Sequence, residues 1–366
     1  MINKISNIDT LYLLVDIKNY EKNAEKILEF LKEEKEKAKK ILSDNSNLKH
    51  QILINGLSFE LLPNGSKGYA YLLHNNGYEV KISQFKSGIE SFSPLQIRIS
   101  SEYLWSKGYI EAWKIIKEWI EKTFGKIEKN KISRVDICTH SSGINFIDNY
   151  QNSYKGSFKK TGVTYTGNNI NCLTFGSRKG KNIYCRIYDK TLEIRETKRK
   201  VWFIDIWLKN NINIENVWNL EFELKSEFLR EFNIITIEDL EKRLKDIWLY
   251  CTTEWLVKVN RINSRIERCP INEEWQELQH AYDDFLSKGM IKRKKQVDMD
   301  ADILIPNIVG NITSYSARKD IISMRNAFDN LYKNTQKYFD KKNTTFEKET
   351  NKKINLLKDG EDVEYE

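Results

Sequence analysis

The sequence predicts an α+β fold, an antiparallel β-sheet core with flanking helices, followed by a helical C-terminal region. Three observations predict it. Short runs alternate apolar and polar residues between turn residues, the period-2 mark of strands with one buried face. Two stretches, 20–42 and 109–124, repeat apolar residues at helical spacing. The element order is strand, helix, several strands, helix, strands, helix, strand, which is not the regular alternation that builds a parallel sheet.

Each element has its own warrant. Residues 8–17 (Ile-Asp-Thr-Leu-Tyr-Leu-Leu-Val-Asp-Ile) form a first strand by their β-branched and aromatic content. Residues 20–42 form a charged helix with Ala24, Ile27, Leu28 and Leu31 on one face. Between 50 and 99 lie runs at 52–62, 68–73, 78–85 and 95–99. Pro63-Asn64-Gly65 and Asn75-Asn76-Gly77 supply hairpin turns. Ile110, Trp113, Ile116, Ile120 and Phe124 make 109–124 an amphipathic helix. Strands follow at 132–139, 172–176, 182–189 and 218–224, with a polar loop after the first of these. Beyond residue 236, helices are expected at Ile237–Leu249 and Glu273–Leu286, with one polar helix over 316–350. The expected division is a catalytic α+β domain at 1–235, a helical region at 236–350 suited to DNA or dimer contacts, and an acidic tail at 351–366 expected to be disordered.

Composition narrows the class. The chain has 366 residues, 40% of them hydrophobic, enough for a substantial core. No apolar run approaches the roughly 20 residues of a membrane span. The first residues lack a signal peptide's apolar stretch, so a cytoplasmic protein without membrane partners is expected. Five cysteines without a C-x-x-C pair argue against a disulfide scaffold or a zinc site. Net charge +8 with 12% aromatic residues permits nucleic-acid binding, and so does the basic cluster Lys292-Arg293-Lys294-Lys295.

Three strands carry polar residues on one face. In Ser133–His140, the residues Arg134, Asp136, Cys138 and His140 project one way, and the carboxylate and imidazole suit one divalent metal. In Asn182–Lys190, Tyr184, Arg186, Tyr188 and Lys190 share a face, setting a tyrosine hydroxyl among cations as phosphodiester attack requires. In Trp218–Lys225, Asn219, Glu221, Glu223 and Lys225 face away from Leu220, Phe222 and Leu224. Two carboxylates beside Asp136 would make an oxygen-rich site for Mg²⁺ or Mn²⁺. The competing reading of each strand is a solvated face with paired charges, and for the tyrosine a ring packed on the sheet with a wet hydroxyl. The turn Phe175-Gly176-Ser177-Arg178-Lys179-Gly180-Lys181 carries glycines and cations suited to phosphate but lacks P-loop spacing.

These segments, in this order, resemble the replication initiation factor family, which joins rolling-circle initiators of plasmids and phages with relaxases of conjugative elements. The matching pieces are Ser-Arg-Val-Asp-Ile-Cys (133–138), Phe-Gly-Ser-Arg (175–178), Arg-Ile-Tyr-Asp-Lys (186–190) and Asn-Leu-Glu-Phe-Glu-Leu-Lys (219–225), with Leu-Gln-Ile-Arg-Ile-Ser (95–100) upstream. The resemblance covers about residues 95–230. It implies that Tyr188 is the nucleophile, becomes joined to a 5′ phosphate and leaves a free 3′-OH primer. Arg186 and Lys190 would assist it. It implies a divalent metal, Mg²⁺ or Mn²⁺, at Asp136 and Glu221, with Glu223 as a second candidate. His140 stands where the family carries a second acid, and Asn219 where it often carries Arg. Arg134, Arg178, Lys179 and Lys181 would contact DNA. The implied partner is origin DNA, single-stranded or cruciform, with a host helicase and a homodimer as further partners. The alternatives are a relaxase that starts conjugative transfer, or a non-catalytic DNA-binding regulator on the same fold.

Overall fold

A computed structural model of the chain describes residues 2–44, 48–84, 93–180, 182–287 and 305–358. The chain divides into two compact units, Met1–Lys292 and Arg293–Glu366. The strands, in chain order, are β1 Asn3–Ile17, β2 Gln51–Ile54, β3 Leu57–Leu61, β4 Tyr71–His74, β5 Tyr78–Ile82, β6 Leu95–Ile99, β7 Ile127–Ser142, β8 Tyr154–Gly156, β9 Thr161–Thr166, β10 Asn169–Gly176, β11 Ile183–Asp189, β12 Val217–Lys225 and β13 Leu256–Lys258. Eleven of them form one sheet in the order β2-β3-β4-β5-β6-β1-β7-β12-β11-β10-β9, and β8 pairs with β13 separately. Every pairing is antiparallel. The α+β architecture is the one the sequence predicts.

Alternation decides what each face meets. Leu11 and Leu13 of β1, Ile97 and Ile99 of β6, Val135 and Ile137 of β7, and Leu220 and Phe222 of β12 are all buried in one cluster. Helices Tyr20–Asp44 and Tyr109–Phe124 cover that face at the β2–β6 end: Phe59 meets Trp119, and Trp119 Nε1 donates to Ile54 O at 2.8 Å. Residues 237–287 cover it at the β7–β12 end, where Phe222 meets Trp248 and Trp255. Tyr282 Oη accepts from Cys138 N at 3.0 Å and donates to Asn7 O at 2.7 Å, tying this segment to β7 and β1. The expected boundary at 235/236 therefore does not separate one core from another. Trp248, Trp255, Trp275 and Tyr282 belong to the sheet's own core, so burial joins 237–287 to the first unit.

Several elements differ from expectation. The run 52–62 is a hairpin, because Asn55 and Gly56 take φ of 47° and 92° and close a tight turn. The polar loop after β7 contains β9, an exposed edge strand whose Thr-rich sequence carries no apolar alternation. The one helix that the expected element order places before the last strand is two, Lys190–Thr197 and Phe203–Lys209. In the second unit the single expected helix is three, Ile305–Arg318, Met324–Lys341 and Phe346–Lys358. The last of these runs into the segment expected as a disordered tail. Residues 359–366, the cluster at 292–295, Phe85 and Lys181 lie outside the described residues. Among the described residues no helix is long and apolar enough to cross a membrane.

Candidate active site

The sheet's second face carries the polar residues, and strand register brings them together. Asp136 lies opposite Glu223, Cys138 opposite Glu221 and His140 opposite Asn219 across β7 and β12. Arg186 lies opposite Glu221, and Tyr188 opposite Asn219, across β12 and β11. Side chains expected on three separate strands thus share one patch.

Tyr188 sits at its centre. Its hydroxyl donates to Glu221 Oε2 at 3.2 Å and accepts from Asn219 Nδ2 at 2.9 Å and Lys190 Nζ at 3.1 Å. Asn219 Nδ2 also donates to Glu221 Oε2 at 3.2 Å, so one amide orients both the phenol and the carboxylate. Strand β11 ends at Asp189, whose carboxylate accepts from Leu192 N at 2.8 Å and caps the next helix. Lys190 is therefore in a first helical turn rather than on the strand face, yet its ammonium returns to Tyr188. It is 0% exposed, pairs with Glu193 at 2.5 Å and lies over the Phe203 ring. Burial pushes the Tyr188 phenol well above its ordinary pKa, Glu221, Glu193 and Asp9 push the same way, and Arg186 opposes them. The hydroxyl is held protonated, with Glu221 positioned to receive its proton.

Arginines lie over the carboxylates. Asp136, Glu221 and Glu223 are only 2–3% exposed. Arg134 binds both oxygens of Asp136, at 2.7 and 2.6 Å, and reaches Glu223 at 2.9 Å. Arg186 pairs with Glu221. Arg178 comes to within 3.4 Å of Glu223 from the turn after β10. Gly176 opens that turn with φ of 85°, where a Cβ would lie 2.9 Å from Ile183 O. Lys225 Nζ donates to Arg178 O and Gly180 O, both at 2.7 Å, and fixes the turn on the sheet. Lys179 is exposed on the same turn. Burial raises the Asp136 pKa to about 7, with Glu221 and Glu223 adding to the rise and Arg134 opposing it.

The carboxylates are engaged by neighbouring side chains: guanidinium groups hold both oxygens of Asp136, Glu221 Oε1 and Glu223 Oε2, while Glu221 Oε2 faces the Tyr188 hydroxyl and the Asn219 amide. Among the described residues no group of three or more His, Cys, Asp or Glu side chains is placed to hold a metal. His140 is enclosed elsewhere, by Trp105, Phe203 and Trp207. Trp207 Nε1 can only donate, and it does so to His140 Nδ1 at 3.0 Å, which leaves the proton on Nε2. Burial and the nearby Lys190 hold the imidazole well below its ordinary pKa, so it is neutral.

Sequence reasoning missed Asp9 and Lys200. Asp9 sits at a bulge between β1 and β7, accepts from Ser101 Oγ at 2.6 Å and Trp105 Nε1 at 3.2 Å, and pairs with Lys200 at 3.2 Å. Burial alone would raise its pKa, but Lys200, Lys190 and Ser101 outweigh it and keep it ionised. The available signal was an acid next to the apolar run of the first strand, one of two there with Asp16.

No family model matches the chain, and no curated protein matches it. A solved structure described as that of a rolling circle replication initiator protein from Geobacillus stearothermophilus matches over 79% of this chain and 100% of that one, at 13% identity and a TM-score of 0.45. That likeness is one of chain course alone.

Proposed function

We propose that the chain is a DNA nicking-and-joining enzyme that initiates rolling-circle replication, with Tyr188 as the nucleophile. The observation that carries the reading is the Tyr188 hydroxyl held at once by Glu221, Asn219 and Lys190. A tyrosine merely packed on a sheet needs one polar partner or water. This one has a proton acceptor, a cation and an orienting amide.

The chemistry follows from those contacts. Glu221 takes the phenolic proton as Oη attacks the phosphorus. The Tyr188 O–P bond forms, the P–O3′ bond breaks, and the departing 3′ oxygen takes a proton from solvent. Lys190 stabilises the nascent phenolate, and Arg186, whose side chain is 31% exposed, faces the charge on the phosphoryl oxygens. Reversal of the same steps rejoins the strand. Exposed Arg178 and Lys179 on the adjoining turn would hold flanking phosphates and make binding salt-dependent. Arg134 is committed to Asp136 and Glu223, so its expected DNA contact is shared with a structural one. The resemblance of 133–138, 175–178, 186–190 and 219–225 to replication initiation factors supports rolling-circle replication as the setting. The same nick would serve conjugative transfer. Asn219 and His140, the departures that suggested a non-catalytic regulator, have defined contacts here, and Asn219 bonds to the nucleophile itself.

The test is incubation with end-labelled single-stranded origin DNA in Mg²⁺, in Mn²⁺ and in EDTA, followed by denaturing electrophoresis. A covalent adduct formed by the wild type and lost in Tyr188→Phe supports the reading. No adduct in any of the three buffers rejects it in favour of a binding-only protein. The EDTA lane decides whether a divalent ion is required.

A further inference from the structure

The polar face continues past the carboxylates onto β7, β1 and β6. There Arg134, Tyr12 and Arg98 are neighbours in register. The guanidinium carbons of Arg98 and Arg134 lie 5.7 and 5.6 Å from the centre of the Tyr12 ring. Tyr12 is half-buried, and in the next row Lys81, Gln96 and Lys131 are likewise half-buried on this face. Arg98 is 43% exposed, its Glu79 partner stands at 3.8 Å, and its Nε is buried without a hydrogen-bond partner. Arg134 is common to this row and to the carboxylate cluster, so the surface is continuous with the Tyr188 site.

We propose that Arg98, Tyr12 and Arg134 form a clamp for single-stranded DNA, holding the strand that carries the phosphate attacked by Tyr188. This rests on the reading of Tyr188 as nucleophile. Flat guanidinium and phenol groups accept a base of any identity, while the exposed guanidinium of Arg98 meets phosphate. A duplex keeps its base faces stacked inside and cannot use such a surface, so the occupant is an unpaired strand. Register gives the reach. Tyr188 is about three strand spacings from β1, ~14 Å, and the Tyr188–Asn219–His140 row lies about six residues along β7 from Arg134, ~20 Å. The diagonal, ~24 Å, takes roughly seven nucleotides at the stacked spacing of 3.4 Å, fewer if the strand is stretched.

The test uses the full chain carrying Tyr188→Phe, with fluorescein-labelled oligothymidylates of 4 and 14 nucleotides and a duplex of 14 base pairs. The 14-mer reaches the clamp and the 4-mer does not. Tyr12→Ala should weaken 14-mer binding about tenfold or more, within the range of one lost stacking contact, and leave the 4-mer and duplex unchanged. Tyr12→Trp should restore it. Arg98→Ala should lower the salt dependence of 14-mer binding by about 0.7 in log–log slope. The proposal is overturned if Tyr12→Ala and Arg98→Ala bind the 14-mer as tightly as the parent, if the 4-mer or duplex loses as much, or if the parent does not bind the 14-mer. A Tyr188 adduct with indifferent Tyr12 variants rejects the clamp and keeps the nucleophile. Length-dependent loss without any adduct keeps the clamp and rejects the nucleophile.

Discussion

Replacing Glu221 by Gln separates proton transfer from binding. The carboxylate accepts from Tyr188 and Asn219 through Oε2 and pairs with Arg186 through Oε1. Gln keeps the shape and one acceptor oxygen, but it cannot take the phenolic proton. Because the Tyr188 pKa is held well above its ordinary value, almost no phenolate exists in advance to compensate. Loss of a general base costs about 10²–10⁴ in rate, or ~2.7–5.5 kcal/mol of barrier. Folding should suffer less. Arg186 loses its partner, and truncating a buried pair costs ~3–5 kcal/mol. Arg186 is 31% exposed and regains some water, which brings the expectation to ~1–3 kcal/mol. The assay is single-turnover adduct formation at 25 °C, with a thermal melt to confirm that the variant is folded. Oligonucleotide affinity should hold or rise, since a negative charge is removed from the site. Adduct formation within about threefold of wild type by folded Glu221→Gln would refute the assignment. A rate loss matched by an equal affinity loss would make Glu221 a binding residue instead.

Two further outcomes follow from the packing. Tyr282→Phe removes a buried hydroxyl that satisfies Cys138 N and Asn7 O; equilibrium urea unfolding should show a loss of ~1–3 kcal/mol, with adduct formation at 25 °C unchanged. His140 is neutral when folded, with a pKa below that of the unfolded chain. The unfolded state therefore takes up the extra proton, so this residue's contribution to stability is complete above about pH 6.5 and is lost as pH falls, by at most ~1.4 kcal/mol per pH unit. Urea unfolding at pH 7.5, 6.5 and 5.5 should show that loss reduced in His140→Gln. Asp136, raised to about 7, has the opposite slope between about pH 4 and 7 in both proteins, so only the difference between them reports on His140; identical profiles would disprove the assignment.

What the sequence made legible was whatever depends on alternation within one strand. Leu220, Phe222 and Leu224 turn to the core and Asn219, Glu221 and Glu223 turn away, as their spacing requires. The same holds for Arg186 and Tyr188 on β11. Contacts between strands were not legible, because the register across β7, β12 and β11, continuous in both pairings, leaves no periodic trace within any one strand. For this reason the arginine cover was missed: nothing in its own strand shows that Arg134, expected to contact DNA, is also bidentate to Asp136. His140 looked like a ligand because its strand position is right, but Trp105, Phe203 and Trp207 come from segments with no visible link to it. Strand β9 stayed hidden for a different reason. An exposed edge strand needs no apolar residues, and Thr161–Thr166 has almost none.

The central claim is that Tyr188, not Tyr184 four residues earlier on the same strand face, attacks the phosphate. Trypsin distinguishes the two directly. Cleavage after Lys181, Arg186 and Lys190 places Tyr184 in the peptide 182–186 and Tyr188 in the peptide 187–190. The covalent adduct, digested with nuclease and trypsin and read by mass spectrometry, should carry its nucleotide mass on Ile-Tyr-Asp-Lys. Nucleotide mass on Asn-Ile-Tyr-Cys-Arg, or on neither peptide, would contradict the account.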